Sequence, residues 1–345
     1  MLKTFPTGGI HPPEFKLTSG SQIKQLPFPQ NVTIPVSQHI GAPATILVKK
    51  GDSVKTGQLI ASINGVECEP FLTSDHRLML EKGEEILVGI SILMKALGVE
   101  KAMIGIENNK TDAVTHLIKL SSGYRGITVH PVSVKYPQGA EKQLIKAHIN
   151  REVPSGHLPI DVGTIVHNVG TAYAVYEAVQ KNKPLFERVV TITGKSLTSP
   201  GNYLVRIGTP IKLLIESAGG LPEDTEKIIN GGPMMGKALS NIEVPVVKGT
   251  SGIILFPANE SKRPELKLCI RCAKCISACA LNLEPYLLAT LSARDLFERA
   301  ELEKITDCME CGSCSYTCPA NRPLLDYIRL GKSIVIRMAR QRNIK

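Results

Sequence analysis

The period of the apolar residues changes several times along the chain, and each change marks an element or a boundary. Residues 32–62 carry short β-branched runs punctuated by Gly41, Pro43, Gly51-Asp52 and Gly57, a pattern that predicts brief strands joined by tight turns. The stretch Val48-Lys-Lys-Gly-Asp-Ser-Val-Lys-Thr-Gly-Gln-Leu-Ile60 reads as one half of a lipoyl-type β-sandwich. Such a sandwich needs a second half to close its sheet, and none follows. From residue 63 to about 183 the pattern alternates between strand and helix periods. It predicts helices at 75–97, 112–120, 139–147 and 171–180, and strands at 101–106, 126–134 and 164–166. That alternation implies an α/β domain with a largely parallel sheet.

Residues 188–236 read differently. Strands at 188–194 and 203–208, a helix at 210–218 and the turn Asn230-Gly-Gly-Pro233 predict a small β-grasp domain, and a strand at 253–256 leads out of it. Farther on, Leu283, Leu287, Leu288, Leu291, Leu296 and Phe297 recur at helical spacing with charges between them. The fold class expected is therefore multidomain α/β and α+β. A partial lipoyl-like sandwich spans 1–62, an α/β domain 63–186, a β-grasp (SLBB-like) domain 187–257, and a helical ferredoxin-like domain 258–345.

Composition narrows the function classes. With 345 residues, 43% of them hydrophobic, the chain can bury a substantial core. No apolar run reaches the roughly 18 residues that cross a bilayer, so a soluble or peripheral protein is expected. The longest candidate, 86–99, carries Lys95 and Gly98. Residues 1–13 lack the apolar stretch of a secretory leader. After Asp326 come Arg329, Lys332, Arg337, Arg340, Arg342 and Lys345 with no acid among them. This tail is either a solvated helix end or a contact for an acidic partner or anionic membrane. Nucleic acid is not expected, because the tail has no aromatic residue on which a base could stack.

The chemistry is concentrated in cysteine. Of nine cysteines, eight form two CxxCxxCxxxC runs, Cys269, Cys272, Cys275, Cys279 and Cys308, Cys311, Cys314, Cys318. This spacing wraps three thiolates around one cubane cluster and sends the fourth to its neighbour. Two tandem runs therefore predict two [4Fe-4S] clusters and electron transfer. Zinc sites pair CxxC knuckles across a longer gap or mix in histidine, and neither run has a histidine nearby. By the crossed rule, Cys269, Cys272, Cys275 and Cys318 serve one cluster, and Cys308, Cys311, Cys314 and Cys279 the other. Pro319 follows the second run as the bacterial signature expects, whereas Ala280 follows the first. Two oxidised clusters with their thiolates would carry about −4 and reduce the formal charge of +10 accordingly.

In an α/β domain, ligands bind beyond the carboxyl ends of strands, and three polar loops occupy such positions. Asn64-Gly-Val-Glu67-Cys-Glu69-Pro70 places an amide and two carboxylates in a turn. Tyr136-Pro-Gln-Gly139-Ala-Glu141-Lys142 is a glycine turn opening a helix. His167-Asn168-Val-Gly170-Thr171 also begins a helix, where Asn168 or Thr171 could serve as a cap. Each loop alone is explained by capping or turn formation; together they point to a shared pocket. Cys68, the ninth cysteine, is read as a small buried thiol, with pocket contact as the alternative.

Taken in order, Gly8-Gly-Ile-His-Pro-Pro13, Val36-Ser-Gln-His-Ile-Gly-Ala-Pro43, Asn64-Gly-Val-Glu-Cys-Glu-Pro70, Lys135-Tyr-Pro-Gln-Gly-Ala-Glu-Lys-Gln143, Arg151-Glu-Val-Pro-Ser-Gly156, Asn168-Val-Gly-Thr-Ala172, Gly231-Gly-Pro-Met-Met-Gly236 and the cysteine runs resemble the RnfC family of the Rnf electron-transport complex. The middle part is also similar to the flavin- and NADH-binding subunit of respiratory complex I. The resemblance implies non-covalent FMN, NADH as substrate, and passage of electrons through FMN and two [4Fe-4S] clusters. It implies that Asn64, Glu67, Glu69, Gly139, Glu141, Asn168 and Thr171 line the flavin and nicotinamide pocket. Its implied setting is a peripheral subunit on the cytoplasmic face of the bacterial cell membrane. The partners are the other subunits of an ion-translocating NADH:ferredoxin oxidoreductase, with ferredoxin reached through the complex.

Two rival readings share part of this pattern: the flavin and iron–sulfur cobalamin reductase of bacterial microcompartments, and a flavin-free relay and docking module. One departure stands out. Members of the family carry, before the NGxECEP loop, the second half-sandwich and a Gly-rich GxGGAxFPT loop that wraps the flavin. Here Ile60-Ala-Ser62 runs directly into Ile63-Asn64, so a segment is expected to be missing near Ser62.

Overall fold

The computed structural model describes residues 2, 4–33, 68–97 and 99–343. The strands expected between 34 and 62, and the site residues Asn64 and Glu67, lie outside the described residues.

The described elements in chain order begin with strand β1 (Ile23–Gln25), helices α1 (Ser74–Glu81) and α2 (Gly83–Leu97), strand β2 (Ala102–Glu107), helix α3 (Thr111–Ser121) and strand β3 (Ile127–Val132). Helices α4 (Glu141–Ile149) and α5 (Val169–Lys181) follow, then strands β4 (Glu187–Thr193) and β5 (Gly201–Arg206), helix α6 (Ile211–Ser217), and strands β6 (Thr225–Asn230), β7 (Lys237–Ala238) and β8 (Gly252–Pro257). The remainder is helical: α7 (Ala258–Ser261), α8 (Lys274–Ser277), α9 (Pro285–Ser292), α10 (Phe297–Leu302), α11 (Ser313–Tyr316) and α12 (Leu324–Asn343). These elements form two compact units.

One unit comprises residues 14–33, 68–97, 99–132 and 167–261. Its mixed sheet has the order β1-β5-β4-β8-β6-β7, with β1 parallel to β5 and β4 antiparallel to β5 and parallel to β8. Strand β1 joins this sheet from residues 23–25, far from its partner in sequence, a pairing that periodicity cannot show. The β-branched residues of β4, β5 and β8 turn Val190, Ile192, Val205 and Ile253 onto α6, burying Ile211, Leu214 and Ile215 completely or nearly so. A second core joins Ile86 and Leu87 of α2, Leu117 of α3, and Ile104 and Ile106 of β2. Buried polar groups are paired here. Thr73 donates its backbone N–H to the Thr191 hydroxyl at 3.1 Å, and Asn202 accepts from both Thr73 and Thr191 at 3.0 and 2.8 Å. Such satisfied networks fix register as well as contributing stability.

Two expectations are corrected in this part of the chain. The single helix expected over 75–97 is two helices. Lys82 leaves helical geometry at φ −133° and ψ 29° while its N–H still closes on Leu78, and Gly83 starts α2. The apolar period continues across this break, so only Gly83 marks it. No strand forms at 164–166. Thr164 instead donates its N–H to Pro159 at 3.2 Å, closing the short helical turn Pro159–Val162, and β-branched residues without a paired neighbour do not make a strand. The parallel sheet is consequently two-stranded among the described residues, β2 against β3.

The other unit comprises residues 2, 4–13, 133–166 and 262–343. Helices α9, α10 and α12 enclose Leu283, Leu288, Leu291, Ala300, Ile305, Leu324, Ile328 and Val335, which gather the apolar spacing seen in sequence into one core. Residues 133–166 pack in this unit and not with the strands that precede them. Ile10 and Tyr136 exchange backbone hydrogen bonds of 2.7 and 2.8 Å, and Thr4 donates to Gln138 at 2.8 Å. The Lys135 ammonium lies 4.2 Å from the Phe5 ring centre, a cation–π distance.

Candidate functional site

The two cysteine runs fold as copies of one another. In the first, Arg271 and Ala273 take left-handed conformations at φ 55° and 59°; in the second, Glu310 and Gly312 do so at 61° and 79°. Asn282 and Asn321, each three residues past the last cysteine of its run, are again left-handed at 55° and 51°. Alternating handedness curls each loop so that cysteines three apart face inward and backbone N–H groups turn toward them. The short helices α8 and α11 then carry Cys275 and Cys314, and α9 and α12 begin at matching offsets.

Tertiary structure crosses the runs. Cys279 of the first run and Cys308, Cys311 and Cys314 of the second line one small pocket, walled by Leu281, Leu283, Leu288 and Ile328. Burial, with the charges of the neighbouring cysteines adding to it, Cys279 included, pushes the Cys308 thiol up to about 11 and the Cys314 thiol up to about 12. Cys275 is likewise raised, by burial and by the charge of Cys318. Backbone N–H groups already point at sulfur: Leu283 donates to Cys279 and Glu310 to Cys308, both at 3.4 Å. Among the described residues no three His, Cys, Asp or Glu side chains meet at a single-ion position. The thiols instead surround a space, which suits a cluster whose irons each take one ligand. The donor set therefore fits two crossed [4Fe-4S] clusters. Their surroundings differ: Cys269 and Cys272 are exposed, whereas Cys314 is buried and Cys279, Cys308 and Cys311 are half-buried.

The segment 135–143 rests on these loops. The Tyr136 hydroxyl, on a buried ring, donates to the Cys311 carbonyl at 2.9 Å, and the Gln143 side-chain amide donates to the Ala280 carbonyl at 3.1 Å. Gly9 donates its N–H to Ala278 at 3.0 Å. Gly8 has φ +67°, and a Cβ there would stand 2.2 Å from the Cys279 carbonyl oxygen. Gly139 lies in the turn that precedes α4 and Glu141 opens that helix, its carboxyl pushed up by burial. Beside them, the Gln138 Nε2 and Gln143 Oε1 atoms are buried without a hydrogen-bond partner. A polar ligand meeting this turn would satisfy them, so the residues fit a hydrogen-bonding cofactor.

In the other unit, Asn168 and Thr171 line an open cleft of about 1010 Å³ together with Asp75, Tyr173, Glu177, Arg188, Lys248 and Ser251. Asn168 does cap α5: its carbonyl oxygen accepts the Gly170 N–H at 2.7 Å, while its amide donates to Asp75 at 2.7 Å. Capping and cleft lining are thus combined in one residue. Burial pushes the Lys248 ammonium and the His167 imidazole down. Sequence reasoning misses Asp75, Arg188 and Lys248. Lys248-Gly-Thr-Ser-Gly252, a small-residue loop before a strand, is the available signal for Lys248; Asp75 and Arg188 carry none.

Glu69 is placed elsewhere. Its buried carboxylate accepts the backbone N–H groups of Met234 at 2.9 Å and Met235 at 2.7 Å, and Lys16 donates to its carbonyl at 2.6 Å. A Cβ on Gly232 would stand 2.2 Å from the Glu69 side chain, so the Gly-rich turn is shaped around this carboxylate. Cys68 beside it is half-buried.

Four family models match the chain: the RnfC barrel sandwich hybrid domain over residues 3–75, the Nuo51 FMN-binding domain over 41–177, the SLBB domain over 189–238 and the 4Fe-4S dicluster domain over 261–320. Among curated relatives, the C component of the proton-translocating ferredoxin:NAD(+) oxidoreductase complex of Clostridium ljungdahlii is 38% identical, covering 96% of this chain and 94% of its own. The Na(+)-translocating counterpart of Acetobacterium woodii is 35% identical, covering 97% and 98%. These alignments run over 432 and 436 positions, more than the 345 residues here, so the relatives carry internal stretches that this chain lacks. Among solved structures, an NAD+-reducing [NiFe]-hydrogenase in the H2-reduced state superposes with a TM-score of 0.52 at 16% identity. It covers 77% of this chain, which spans 54% of that one, a likeness of fold alone.

Proposed function

The chain belongs to the RnfC family, the C components of Rnf-type ion-translocating ferredoxin:NAD(+) oxidoreductase complexes, and from that premise we propose that it is the complex's NADH-linked electron-input subunit. The crossed thiol arrangement around Cys279, Cys308, Cys311 and Cys314 carries this reading. The first cluster is assigned to Cys269, Cys272, Cys275 and Cys318, the second to Cys308, Cys311, Cys314 and Cys279. FMN, when bound, accepts a hydride as an electron pair and releases electrons singly, which matches a two-electron donor to one-electron clusters.

The chain's own residues supply binding and insulation. Asn168 and Thr171, at the start of α5, present hydrogen-bonding groups beside Lys248, a set suited to an anionic nucleotide. Gly139 and Glu141 stand in the segment whose Tyr136 and Gln143 hold the second cluster's loops. Asn64 and Glu67 are retained as pocket residues on the family resemblance. Glu69 is proposed to act through the turn at Met234 and Met235, whose backbone N–H groups its carboxylate accepts.

No helix among the described residues is long and apolar enough to cross a membrane, so the chain is a peripheral member of its membrane complex. We assign it to the cytoplasmic face, where NAD(H) is available. The stretches found in relatives but absent here are assigned to the point after Ser62, where the sequence pattern lacks the second half of the expected sandwich.

An anaerobic absorption spectrum before and after NADH tests the reading. Iron of about eight atoms per chain, with flavin and cluster absorbance both bleached by NADH, is the expected result. Clusters that ignore NADH and lack flavin would overturn it in favour of a bare relay.

A further inference from the structure

The two clusters proposed above differ in access. Cys279, Cys308, Cys311 and Cys314 sit among Leu283, Leu288 and Ile328, with residues 8–10 and 136–143 bonded to their loops. Cys269 and Cys272, by contrast, lie in a stretch in which every residue from 262 to 274 is exposed. That stretch has no regular secondary structure until Lys274, where α8 begins, and it displays three apolar side chains at alternate positions. Leu266 is 61% exposed, Leu268 91% and Ile270 67%. These three residues lie within five positions of one another and flank Cys269, forming one apolar strip beside the proposed ligands Cys269 and Cys272. An apolar strip of this kind on a soluble surface marks an interaction site. Within residues 262–274 stand Lys262, Arg263, Lys267, Arg271 and Lys274 against one acid, Glu265; a second acid, Asp326, pairs with Arg263 at 2.5 Å and leaves four cations on the rim.

We propose that this strip is the electron exit and docks an acidic surface of a partner redox subunit of the complex. The proposal rests on the function proposed above. Electron tunnelling falls steeply with distance, so a partner must approach the cluster whose ligands reach the surface, and of the two clusters only the one held by Cys269 has two exposed ligands. The basic rim selects an acidic partner and steers its approach, while Leu266, Leu268 and Ile270 supply the desolvated centre. Each transfer oxidises the Cys269 cluster by one electron and reduces the partner's centre by one, with no bond made or broken. Two such transfers discharge the electron pair of one NADH.

The test uses the full chain carrying its cofactors and the purified membrane complex lacking this subunit. Leu268→Glu and, separately, Lys267→Glu are compared with wild type and with Arg340→Glu in the basic tail. Expected for both strip variants is an approximately tenfold or greater fall in NADH-driven reduction of the complex and a matching loss of co-migration at low salt, with the Lys267→Glu deficit relative to wild type shrinking as salt screens the charge. Cluster absorbance and bleaching by NADH should stay as in wild type, which shows that the variants fold and that the input reaction is intact. Arg340→Glu should behave as wild type. Strip variants that dock and transfer normally would overturn the proposal, as would loss of docking in Arg340→Glu alone. Failure of the proposed function itself is distinguishable: NADH would then leave even the wild-type clusters unbleached, while co-migration would still report on the strip.

Discussion

Tyr136 donates its hydroxyl to the carbonyl of Cys311 at 2.9 Å, joining a turn expected to meet flavin to the backbone of a proposed cluster ligand. Gln143, seven residues on, does the same for Ala280, which follows Cys279. One short segment therefore holds a cysteine loop from each run, and both loops serve the same proposed cluster. Tyr136→Phe should leave the ring packing intact and remove about 1 kcal/mol of loop support. Faster loss of iron to a chelator from the Cys279 cluster, with the other cluster's EPR signal unchanged, is the expected signature. Equal lability of both clusters would contradict it.

Gly8 offers a sharper probe of the same contact. Gly8→Ala adds a methyl 2.2 Å from the Cys279 oxygen and strains a left-handed backbone at φ +67°. The Cys279 loop must move, and purified protein should carry iron falling from about eight toward about four atoms per chain. Full iron loading would show that the loop tolerates the displacement.

Glu69 separates a structural role from a ligand-binding one. Glu69→Gln keeps one acceptor and turns an N–H toward a backbone N–H, at an expected cost of about 2 kcal/mol. A lowered melting temperature of the sheet-containing unit, with flavin content per folded chain unchanged, is predicted. Loss of flavin at unchanged melting temperature would return Glu69 to the pocket.

Acid should loosen the unit containing α1 and α3. Burial lowers the pKa of His76 below its usual 6.5, outweighing the hydrogen bond to Asp112 at 2.9 Å, with Lys110 and Arg77 adding to the depression. His167 is lowered by burial as well. Because the folded state binds these protons less readily than the unfolded chain, their stabilising contribution is complete above pH 6.5 and is lost as pH falls toward the lowered values. Hydrogen exchange in α1 and α3 should accelerate between about pH 7 and 5.5 after correction for intrinsic rates, and less so in His76→Gln. Equal protection at both pH values would argue against the linkage.

The sequence determined the chemistry. Cysteine spacing is local, and a cluster's geometry dictates it, so a two-cluster iron–sulfur domain could be read without coordinates and a crossed ligand set proposed from it. Most helices and strands were legible for the same reason, since period and caps are properties of neighbouring residues. The break at Gly83 and the absent strand at 164–166 were not, because an apolar period runs through a kink unchanged and a strand exists only if another edge accepts it. Tertiary structure alone decided which loops meet. It brought β1 to β5, took residues 133–166 to the cluster-bearing unit, and assigned Glu69 to the amides of Met234 and Met235. It also left Leu268 in solvent beside Cys269. Such pairings depend on packing between residues far apart in the chain, where the free energy of burial, and not local pattern, selects the partner.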